Sequence, residues 1–203
     1  MHGVADSDIR AATREDAGLI AGILAEAFSD DPVMNWTFGG PKPFRTTFHE
    51  LARGVYLRNG FGHIAGANSE YWAATLWLPK GVELKLPFLN EARIAASAVF
   101  HHGMSSIGRA LKTAAVLAEN HPQAPHYYLF AVGVRKGAQG KGLGGRLIRE
   151  GLKRADKDSA PAYLENSNPK NTALYERLGF KTTAPLPLPD GAPPLLGMLR
   201  PAA

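Results

Sequence analysis

A glycine-rich turn is the stretch of this chain whose residues are best suited to bind a ligand. It runs from Gln139 to Gly145, contains four glycines, and follows an apolar run that ends at Val134. Glycine adopts backbone angles that other residues avoid and lets a ligand approach the chain closely. An amphipathic helix begins in the turn, and a helix N-terminus presents unpaired N–H groups with partial positive charge. The combination predicts a cradle for a phosphate or pyrophosphate.

The positive charge of the chain is concentrated around this turn. The formal net charge is +5, and the segment 135–158 alone contains eight basic and three acidic residues. A basic field around one glycine turn favours a small polyanionic ligand over a long nucleic-acid footprint. We therefore expect no nucleic acid partner. Arg135, Lys136 and Lys141 are candidates to add favourable charge near the phosphates, with plain solvation as the alternative for each lysine.

One reading of the glycines is a dinucleotide-binding fold. Gly140, Gly142 and Gly145 fit the pattern Gly-x-Gly-x-x-Gly, and Glu165 follows at about the distance of the acid that binds a ribose. This reading makes the chain a nicotinamide-dependent oxidoreductase. A nucleotide P-loop is excluded, because Lys141 is followed by glycine instead of serine or threonine.

A second spacing, Gln-x-x-Gly-x-Gly, starts at Gln139 and ends at Gly144. It resembles the cofactor signature of the GNAT superfamily of acyl-CoA-dependent N-acetyltransferases, which is Gln/Arg-x-x-Gly-x-Gly/Ala after a strand. The segment 164–180, with Asn168, Tyr175 and Gly179-Phe180, resembles the strand-helix-Gly-Phe segment of the same family. The two matches occur in the family's order, and together they are more specific than either alone.

The resemblance implies an α/β fold with a mixed, mostly antiparallel central sheet flanked by helices and splayed at the strand before the glycine-rich turn. It implies acetyl-CoA as the co-substrate. The backbone of Val132 and Val134 on the splayed strand would then pair with the pantetheine arm and thioester. The pyrophosphate would be held by Gln139, Gly140, Lys141, Gly142, Leu143, Gly144 and Gly145. Asn168 and Asn171 are further candidate cofactor contacts, with helix capping as the alternative for each.

The resemblance also implies a reaction, in which a primary amine of a small molecule attacks the thioester directly in a ternary complex. The expected acceptor is a cationic amine such as an antibiotic. Tyr175 matches the family tyrosine and is the candidate acid for the leaving thiolate, with simple packing as its alternative. Glu165 is the candidate base, His126 is the second choice, and water alone remains open. A non-catalytic acyl-CoA-binding sensor is the alternative function.

The acceptor pocket is expected from the segment between the first two helices. Asp30, Asp31, Trp36 and Phe38 would receive a cationic amine by charge and cation–π contact. The alternative is that the two aspartates form a turn and the two aromatic residues belong to the core. The seven histidines show no metalloprotease-type spacing, so the sequence predicts no metal site.

Hydrophobic periodicity predicts the elements that position these residues. The predicted strands are 9–12, 62–66, 71–78, 126–134, 162–165, 181–184 and 195–199. The predicted helices are 14–28, 44–58, a helix from Leu143, and 172–178 with Gly179 as a left-handed cap. The segment 36–41 is expected to be a loop. The segment 90–120 is expected to be a helical insert broken near Gly103.

The composition excludes several further kinds of site and protein. The chain has no cysteine, which excludes disulfides, thiolate metal sites and a cysteine nucleophile. No apolar run approaches the length of a membrane span, and the segment 1–8 lacks the order of a signal peptide. We therefore expect a cytoplasmic protein without a membrane partner. Residues 1–203 are expected to form one acetyltransferase domain with an insert at about 90–120, and a homodimer stays open.

Overall fold

The computed structural model describes residues 8–189 and 191–203 of the chain. Two parts of the chain lie outside the described residues: the segment 1–7 and residue 190 of the proline-rich loop. The prediction about a signal peptide falls largely on the segment 1–7. In the described part, no helix is long and apolar enough to cross a membrane. The same part contains no group of three or more His, Asp or Glu side chains arranged to hold a metal ion.

Seven strands form one sheet. They are β1 (Asp8–Ala11), β2 (Phe61–Ala67), β3 (Glu70–Leu78), β4 (Tyr127–Val134), β5 (Ala162–Asn166), β6 (Lys181–Pro185) and β7 (Leu196–Arg200). Their order across the sheet is β1-β2-β3-β4-β5-β7-β6. β4 and β5 run parallel, and the other neighbouring pairs of described strands are antiparallel. The expected mixed, mostly antiparallel sheet is therefore confirmed.

Helices cover both faces of this sheet. They are α1 (Ala17–Ala27), α2 (Pro32–Phe38), α3 (Phe44–Leu51), α4 (Leu57–Asn59), α5 (Phe88–His102), α6 (Ser105–Asn120), α7 (Leu143–Lys157) and α8 (Thr172–Glu176). Short 3₁₀ turns lie before α1, α7 and α8, at Arg14–Asp16, Lys136–Ala138 and Pro169–Asn171. The helices predicted to begin near residues 14, 143 and 172 are present.

β4 departs from β5 after its first two residues. Tyr127 and Tyr128 are the positions of β4 that pair with β5. Leu129 and Ala131 pair with consecutive residues of β3, so Phe130 between them is an extra residue and β4 bulges there. The predicted splay is present, and it opens a cleft between the far halves of β4 and β5.

α1 packs closely against β4. Its Ile20, Ile23 and Leu24 are fully buried, as the helical spacing predicts. A Cβ added at Gly133 of β4 would lie 2.8 Å from side-chain atoms of both Leu24 and Ala27. The helix can approach the strand this closely because residue 133 has no side chain.

α7 covers the other face of the sheet. Leu147, Ile148 and Leu152 form the predicted buried stripe of this helix. A Cβ at Gly151 would lie 2.4 Å from the indole ring of Trp77, which is fully buried in β3. The helix that begins in the glycine turn is thereby held at a fixed height above the sheet.

The expected loop at 36–41 is wrong for its first half, because α2 extends to Phe38. Asp31 caps this helix by accepting a hydrogen bond from the backbone N–H of Met34 at 2.9 Å. Pro32 occupies the first turn, and Gly39 ends the helix with a φ of 82°. These signals are present in the sequence, but the helix is only seven residues long and shows little periodicity.

The helix predicted at 44–58 is present but contains a π-helical turn. α3 continues through Ala52–Tyr56 as a π-helix and ends in α4. Turns of this kind are rare and re-aim side chains, frequently at functional sites. Tyr56 is fully buried and stacks on Phe130, with ring centroids 4.3 Å apart. The second helix and the bulge of β4 therefore share one aromatic floor.

The helical insert consists of α5 and α6, broken at Gly103 as predicted, where φ is 73°. α6 packs on α2, and the hydroxyls of Thr37 and Thr113 form a buried hydrogen bond of 3.2 Å between them. α5 packs on α3, where the Asn90 amide donates to Glu50 Oε2 at 2.6 Å. The insert is thus joined to the first helices and covers the cleft from outside.

Candidate active site

A cavity of about 880 Å³ lies between the splayed strands and the helical insert. Its lining includes Glu165 and Tyr175, the two predicted catalytic residues. Val132 and Asn171, from the predicted cofactor contacts, line the same cavity. The structure therefore brings together residues from β4, β5 and the start of α8. The other predicted cofactor contacts lie at the end of β4 and in the glycine turn, except Asn168, which follows β5.

The edge of β4 that faces the cleft is free of strand pairing beyond Tyr128. The N–H of Arg135 donates to the carbonyl of Trp72 in β3 at 2.7 Å. Since alternate residues of a strand point their backbone groups to opposite neighbours, Val134 and Val132 present theirs to the cleft. The amide of Gln139 donates to the carbonyl of Val134 at 3.0 Å. The side chain of Gln139 thus closes the turn onto the strand.

The glycine turn is open on its outer side. Gly140 and Gly142 have φ of 76° and 77°, and a Cβ at either would meet no atom within 4 Å. α7 starts at Leu143, and its first backbone hydrogen bond runs from the N–H of Arg146 to the carbonyl of Gly142. The preceding N–H groups, of Leu143, Gly144 and Gly145, therefore have no acceptor within the helix. These groups fit a pyrophosphate.

Two of the three cations expected near the phosphates are engaged elsewhere. Arg135 is paired with Glu26 at the end of α1, and Lys136 lies 2.6 Å from Asp30. Glu26 also accepts a hydrogen bond from the backbone N–H of Lys136 at 3.0 Å. These pairs join the end of β4 to the segment after α1. Lys141, the third of these cations, is exposed within the glycine turn.

Asn168 caps a helical turn, which was the alternative to a cofactor contact. Its Oδ1 accepts from the N–H of Lys170 at 3.1 Å. The buried Asn166, which the sequence analysis missed, supports this segment by donating to the hydroxyl of Thr172 at 2.9 Å. Asn171 is exposed at the cavity rim and stays available to a ligand.

The two aspartates expected in the acceptor pocket are engaged with other residues. The side chain of Asp30 is 80% exposed and paired with Lys136. Asp31 is buried, where it caps α2 and accepts from the hydroxyl of Ser167 at 2.6 Å. Burial raises the pKa of Asp31 above its usual value. Of the four expected acceptor residues, Phe38 is the one that lines the cavity.

Glu165 is the centre of a polar network on the cavity wall. Its side chain is 7% exposed, and the hydroxyl of Tyr128 donates to its Oε2 at 2.7 Å. Its Oε1 lies 3.5 Å from His121 Nδ1 and has no hydrogen-bond partner among the described residues. His121 Nε2 lies 3.0 Å from His126 Nε2, and His126 Nδ1 lies 2.8 Å from the carbonyl of Ala124. Both candidate bases are thus connected through His121.

The partners of these rings define where their protons lie. A carbonyl can only accept, so His126 carries a proton on Nδ1. Burial lowers the pKa of His126, which keeps this ring neutral, and its Nε2 therefore accepts from His121 Nε2. His121 Nδ1 and Glu165 Oε1 lie 3.5 Å apart with no hydrogen bond between them. A proton placed between these two atoms would join them.

His121 is the functional candidate that the sequence analysis missed. It follows directly after α6 and contributes to the cavity lining beside His126. Its ring lies edge-on to Tyr128 and Tyr163, with centroids 4.9 and 5.3 Å away. Nothing in the sequence pattern indicates that the end of the insert meets β5, because this contact depends on tertiary packing alone.

Tyr175 is 7% exposed and lines the cavity from α8. Burial, and then the charge of Asp31, raise the pKa of its hydroxyl well above the usual value. The hydroxyl therefore stays protonated at neutral pH. The predicted left-handed cap at Gly179 is confirmed with a φ of 89°, and the N–H of Phe180 donates to the carbonyl of Tyr175 at 3.1 Å. This turn fixes α8 under the cavity.

A family comparison agrees with this geometry. Residues 71–180, more than half of the chain, match the sequence model of the acetyltransferase (GNAT) family. The chain belongs to this family, and it is an acyltransferase. The resemblance seen in the glycine turn and the Tyr175 segment is thereby confirmed. The dinucleotide reading is wrong, since the sheet is mostly antiparallel and Glu165 lines the cavity.

Individual relatives agree with the family assignment. A mycothiol acetyltransferase from Streptomyces avermitilis is 38% identical over 65 residues, which are 30% of this chain and 21% of that protein. The chain thus matches about a fifth of the length of this curated relative. A structure described as histone acetyltransferase HPA2 and related acetyltransferase, from Corynebacterium glutamicum, is 25% identical with a TM-score of 0.73 and 97% coverage of both chains.

More distant structures share the fold. Arylalkylamine N-acetyltransferase 2 from Aedes aegypti has 12% identity and a TM-score of 0.63, with 97% of this chain and 99% of that chain covered. The polyamine N-acetyltransferase of Drosophila melanogaster has 16% identity and a TM-score of 0.59, with coverage of 97% and 100%. At these identities the likeness extends to the fold alone.

Proposed function

We propose that this acyltransferase transfers the acetyl group of acetyl-CoA to a primary amine of a small molecule by direct attack in a ternary complex. The observation that carries the proposal is the single cavity that contains Glu165, Tyr175 and the open edge of β4. Both reactants can meet there without an acyl-enzyme. The chain has no cysteine to form a thioester with the acetyl group.

The cofactor side of the site is formed by backbone groups. The N–H groups at the start of α7 and the exposed Lys141 would hold the pyrophosphate, as helix N-termini do for anions. The backbone of Val132 and Val134 would pair with the pantetheine arm along the free edge of β4. When bound, acetyl-CoA supplies the thioester that the amine attacks. The N–H of Val132 is then the candidate donor to the carbonyl oxygen as negative charge develops on it.

The network around Glu165 would take the proton from the amine. An alkyl ammonium must lose a proton before its nitrogen can attack, and the vacant position between His121 Nδ1 and Glu165 Oε1 can accept that proton. A nitrogen–carbon bond then forms while the carbon–sulfur bond breaks. His126 donates no proton in this scheme; it holds the ring of His121 in the required tautomer.

The role we assign to Tyr175 is to stabilise the sulfur of CoA as it leaves. A phenol whose pKa lies well above its usual value gives up its proton reluctantly to a thiolate, whose conjugate thiol has an ordinary pKa of about 8.5. The hydroxyl of Tyr175 therefore acts chiefly as a hydrogen-bond donor that stabilises the developing negative charge on sulfur. The attacking nitrogen loses its second proton as the amide forms, and this proton neutralises the thiolate. The first proton passes from the network around Glu165 to solvent.

The test is release of free thiol from acetyl-CoA across a panel of amines, with acetyl-CoA binding measured in parallel. At least one amine should give thiol release, and Glu165→Gln should lower kcat/KM about 100-fold without weakening acetyl-CoA binding. Glu119→Gln, on the exposed side of α6, is the matched control and should match the unmodified protein. Tight binding of acetyl-CoA without thiol release for any amine would instead identify a non-catalytic sensor.

A further inference from the structure

The lining of the cavity is largely aromatic and aliphatic on the acceptor side. Besides Tyr175, six phenylalanine and tyrosine rings contribute to it: Phe28, Phe38, Phe48, Tyr56, Tyr128 and Phe130. All of these six except Phe38 form one connected group, in which Phe48 contacts Phe28 and Phe130 with ring centroids 5.2 and 6.4 Å apart. α6 adds small and aliphatic residues on the outer side, including Ala114 and Leu117. A flat apolar ligand would fit between α6 and the aromatic rings of the lining.

Charged groups are scarce in the same lining. Of the described residues that contribute to it, Glu83 and Glu165 are the ones with a charged side chain besides the two histidines. Glu83 is 74% exposed at the rim and forms an ion pair with Lys85 at 2.5 Å. Glu165 is therefore the one buried carboxylate that a bound cation can reach. A second ammonium group would lose its water without gaining a partner, which is strongly unfavourable.

Two buried polar atoms in the cavity have no partner within the described chain. They are the hydroxyl of Tyr56 and Oε1 of Glu165. The residue Tyr56 is fully buried, and the pKa of its hydroxyl is raised by burial and by the nearby charge of Glu165. Buried polar groups are ordinarily paired, so these two atoms are the candidates in this cavity to pair with a polar group of a ligand.

We propose that the acceptor is a primary monoamine with an aromatic body, whose nitrogen binds between the Tyr56 hydroxyl and Glu165 Oε1. This inference rests on the proposed acetyl transfer and specifies its substrate class. The ring of the acceptor lies against the aromatic floor, and α6 covers its outer face. Linear polyamines and multiply charged antibiotics are disfavoured because the cavity offers one buried carboxylate. This proposal differs from the cationic antibiotic that the sequence leads us to expect.

The experiment compares kcat/KM for 2-phenylethylamine and for spermidine. The unmodified protein should favour 2-phenylethylamine by at least about tenfold. Ala114→Glu adds a carboxylate to the cavity wall and should reduce this preference about tenfold or more. Ala115→Glu adds the same charge to the same helix at an exposed position outside the lining, and it should keep the preference. Equal or better use of spermidine by the unmodified protein would overturn the proposal.

Tyr56→Phe tests the binding of the nitrogen. It should raise the KM for 2-phenylethylamine about tenfold while kcat changes less than threefold, because a hydrogen bond to the bound amine is lost. An unchanged KM would remove Tyr56 from the proposal. Failure of the proposed function gives a different result, namely acetyl-CoA binding without thiol release for any amine. Acetylation of spermidine in preference to the aromatic amine leaves that function intact and contradicts the inference alone.

Discussion

Gly142 and Gly144 are separated by one residue, but their backbone conformations differ in whether they can accept a residue with a side chain. Gly142 has a φ of 77°, which L-amino acids rarely adopt, although the space around it is open. Gly144 lies in the first turn of α7 with ordinary helical geometry. A Cβ there would lie 3.6 Å from Val134, which is a normal van der Waals contact. Backbone conformation, and not space, therefore makes Gly142 necessary.

We expect Gly142→Ala to lower the free energy of unfolding by about 1 kcal/mol, because alanine is strained in the left-handed region. The distorted turn should also weaken acetyl-CoA binding at least about fivefold, since the N–H groups of α7 shift. Denaturant unfolding and calorimetry measure the two effects. Gly144→Ala is the control: it should leave acetyl-CoA binding nearly unchanged and should not lower the free energy of unfolding, because alanine favours the helix. Equal effects of the two substitutions would contradict this account of the turn.

His126 predicts the shape of the activity–pH profile. Burial lowers its pKa below the usual value of 6.5, so the ring is neutral at physiological pH and accepts from His121. As pH falls through the lowered pKa, His126 gains a proton on Nε2 and can no longer accept. The values of kcat/KM should therefore fall on the acid side, below pH 6.5. The titratable groups around this ring are His121 and Glu165, and the phenol of Tyr163 faces it from β5.

The substitution that checks this profile is His126→Gln. It should lower kcat/KM at least about tenfold at neutral pH, since His121 loses its fixed tautomer, and it should alter the acid limb. His101→Gln, on the exposed part of α5, is the matched control and should leave the profile unchanged. A His126→Gln profile that superimposes on that of the unmodified protein would show that the network does not move the proton.

At the scale of elements, the height of α7 above the sheet depends on Gly151. A Cβ at this position would lie 2.4 Å from the ring of Trp77. We expect Gly151→Ala to lower the free energy of unfolding by about 1–3 kcal/mol, because the buried indole cannot move away without strain. Gly18→Ala in α1 is the control, since a Cβ there meets no atom within 4 Å. It should increase stability by about 0.5–1 kcal/mol in thermal or denaturant unfolding.

The sequence predicts most of the elements because their periodicity is long and regular. α1 and α7 each extend over at least eleven residues, and their buried stripes match the apolar spacing. α6 is also long, but its buried residues are Ser106 and Thr113, and Leu111 of its apolar pattern is exposed. α2 is too short to show such a pattern, although Asp31 and Gly39 mark its ends. The π-helical turn at Ala52–Tyr56 has no sequence signature, since it arises from how the second helix packs on β4.

The sequence predicts only some residues of the candidate site, for a related reason. Glu165 and Tyr175 follow from a motif in which spacing along the chain is preserved in space. His121 and Tyr56 enter the site from separate helices, and no spacing connects them to β5. Asp31 shows the reverse error: its charge indicates a substrate contact, but it caps α2 and accepts from Ser167. Tertiary contacts, which local pattern does not contain, decide these cases.

At the scale of the whole molecule, the site in the cleft has two parts, one for the cofactor and one for the acceptor. The cofactor part is the free edge of β4 and the N-terminus of α7, and both belong to the family-matched segment 71–180. The acceptor part is covered by α2 and by α6 of the insert, which the hydroxyls of Thr37 and Thr113 connect. This division predicts that cofactor binding and turnover can be separated by substitution.

Acetyl-CoA should stabilise the whole molecule, because a ligand that binds only the folded state adds about 2.7 kcal/mol at a concentration of 100 Kd. For a chain of this length the melting temperature should rise by about 5–10 °C. Tyr175→Phe should keep this rise while lowering kcat about tenfold, since the hydroxyl acts on the leaving sulfur and not on cofactor affinity. Gly142→Ala should reduce the rise at the same concentration. Thermal unfolding with and without acetyl-CoA, paired with thiol release, measures both properties. A loss of the thermal shift in Tyr175→Phe would make Tyr175 a cofactor-packing residue, and unchanged turnover would remove its catalytic role.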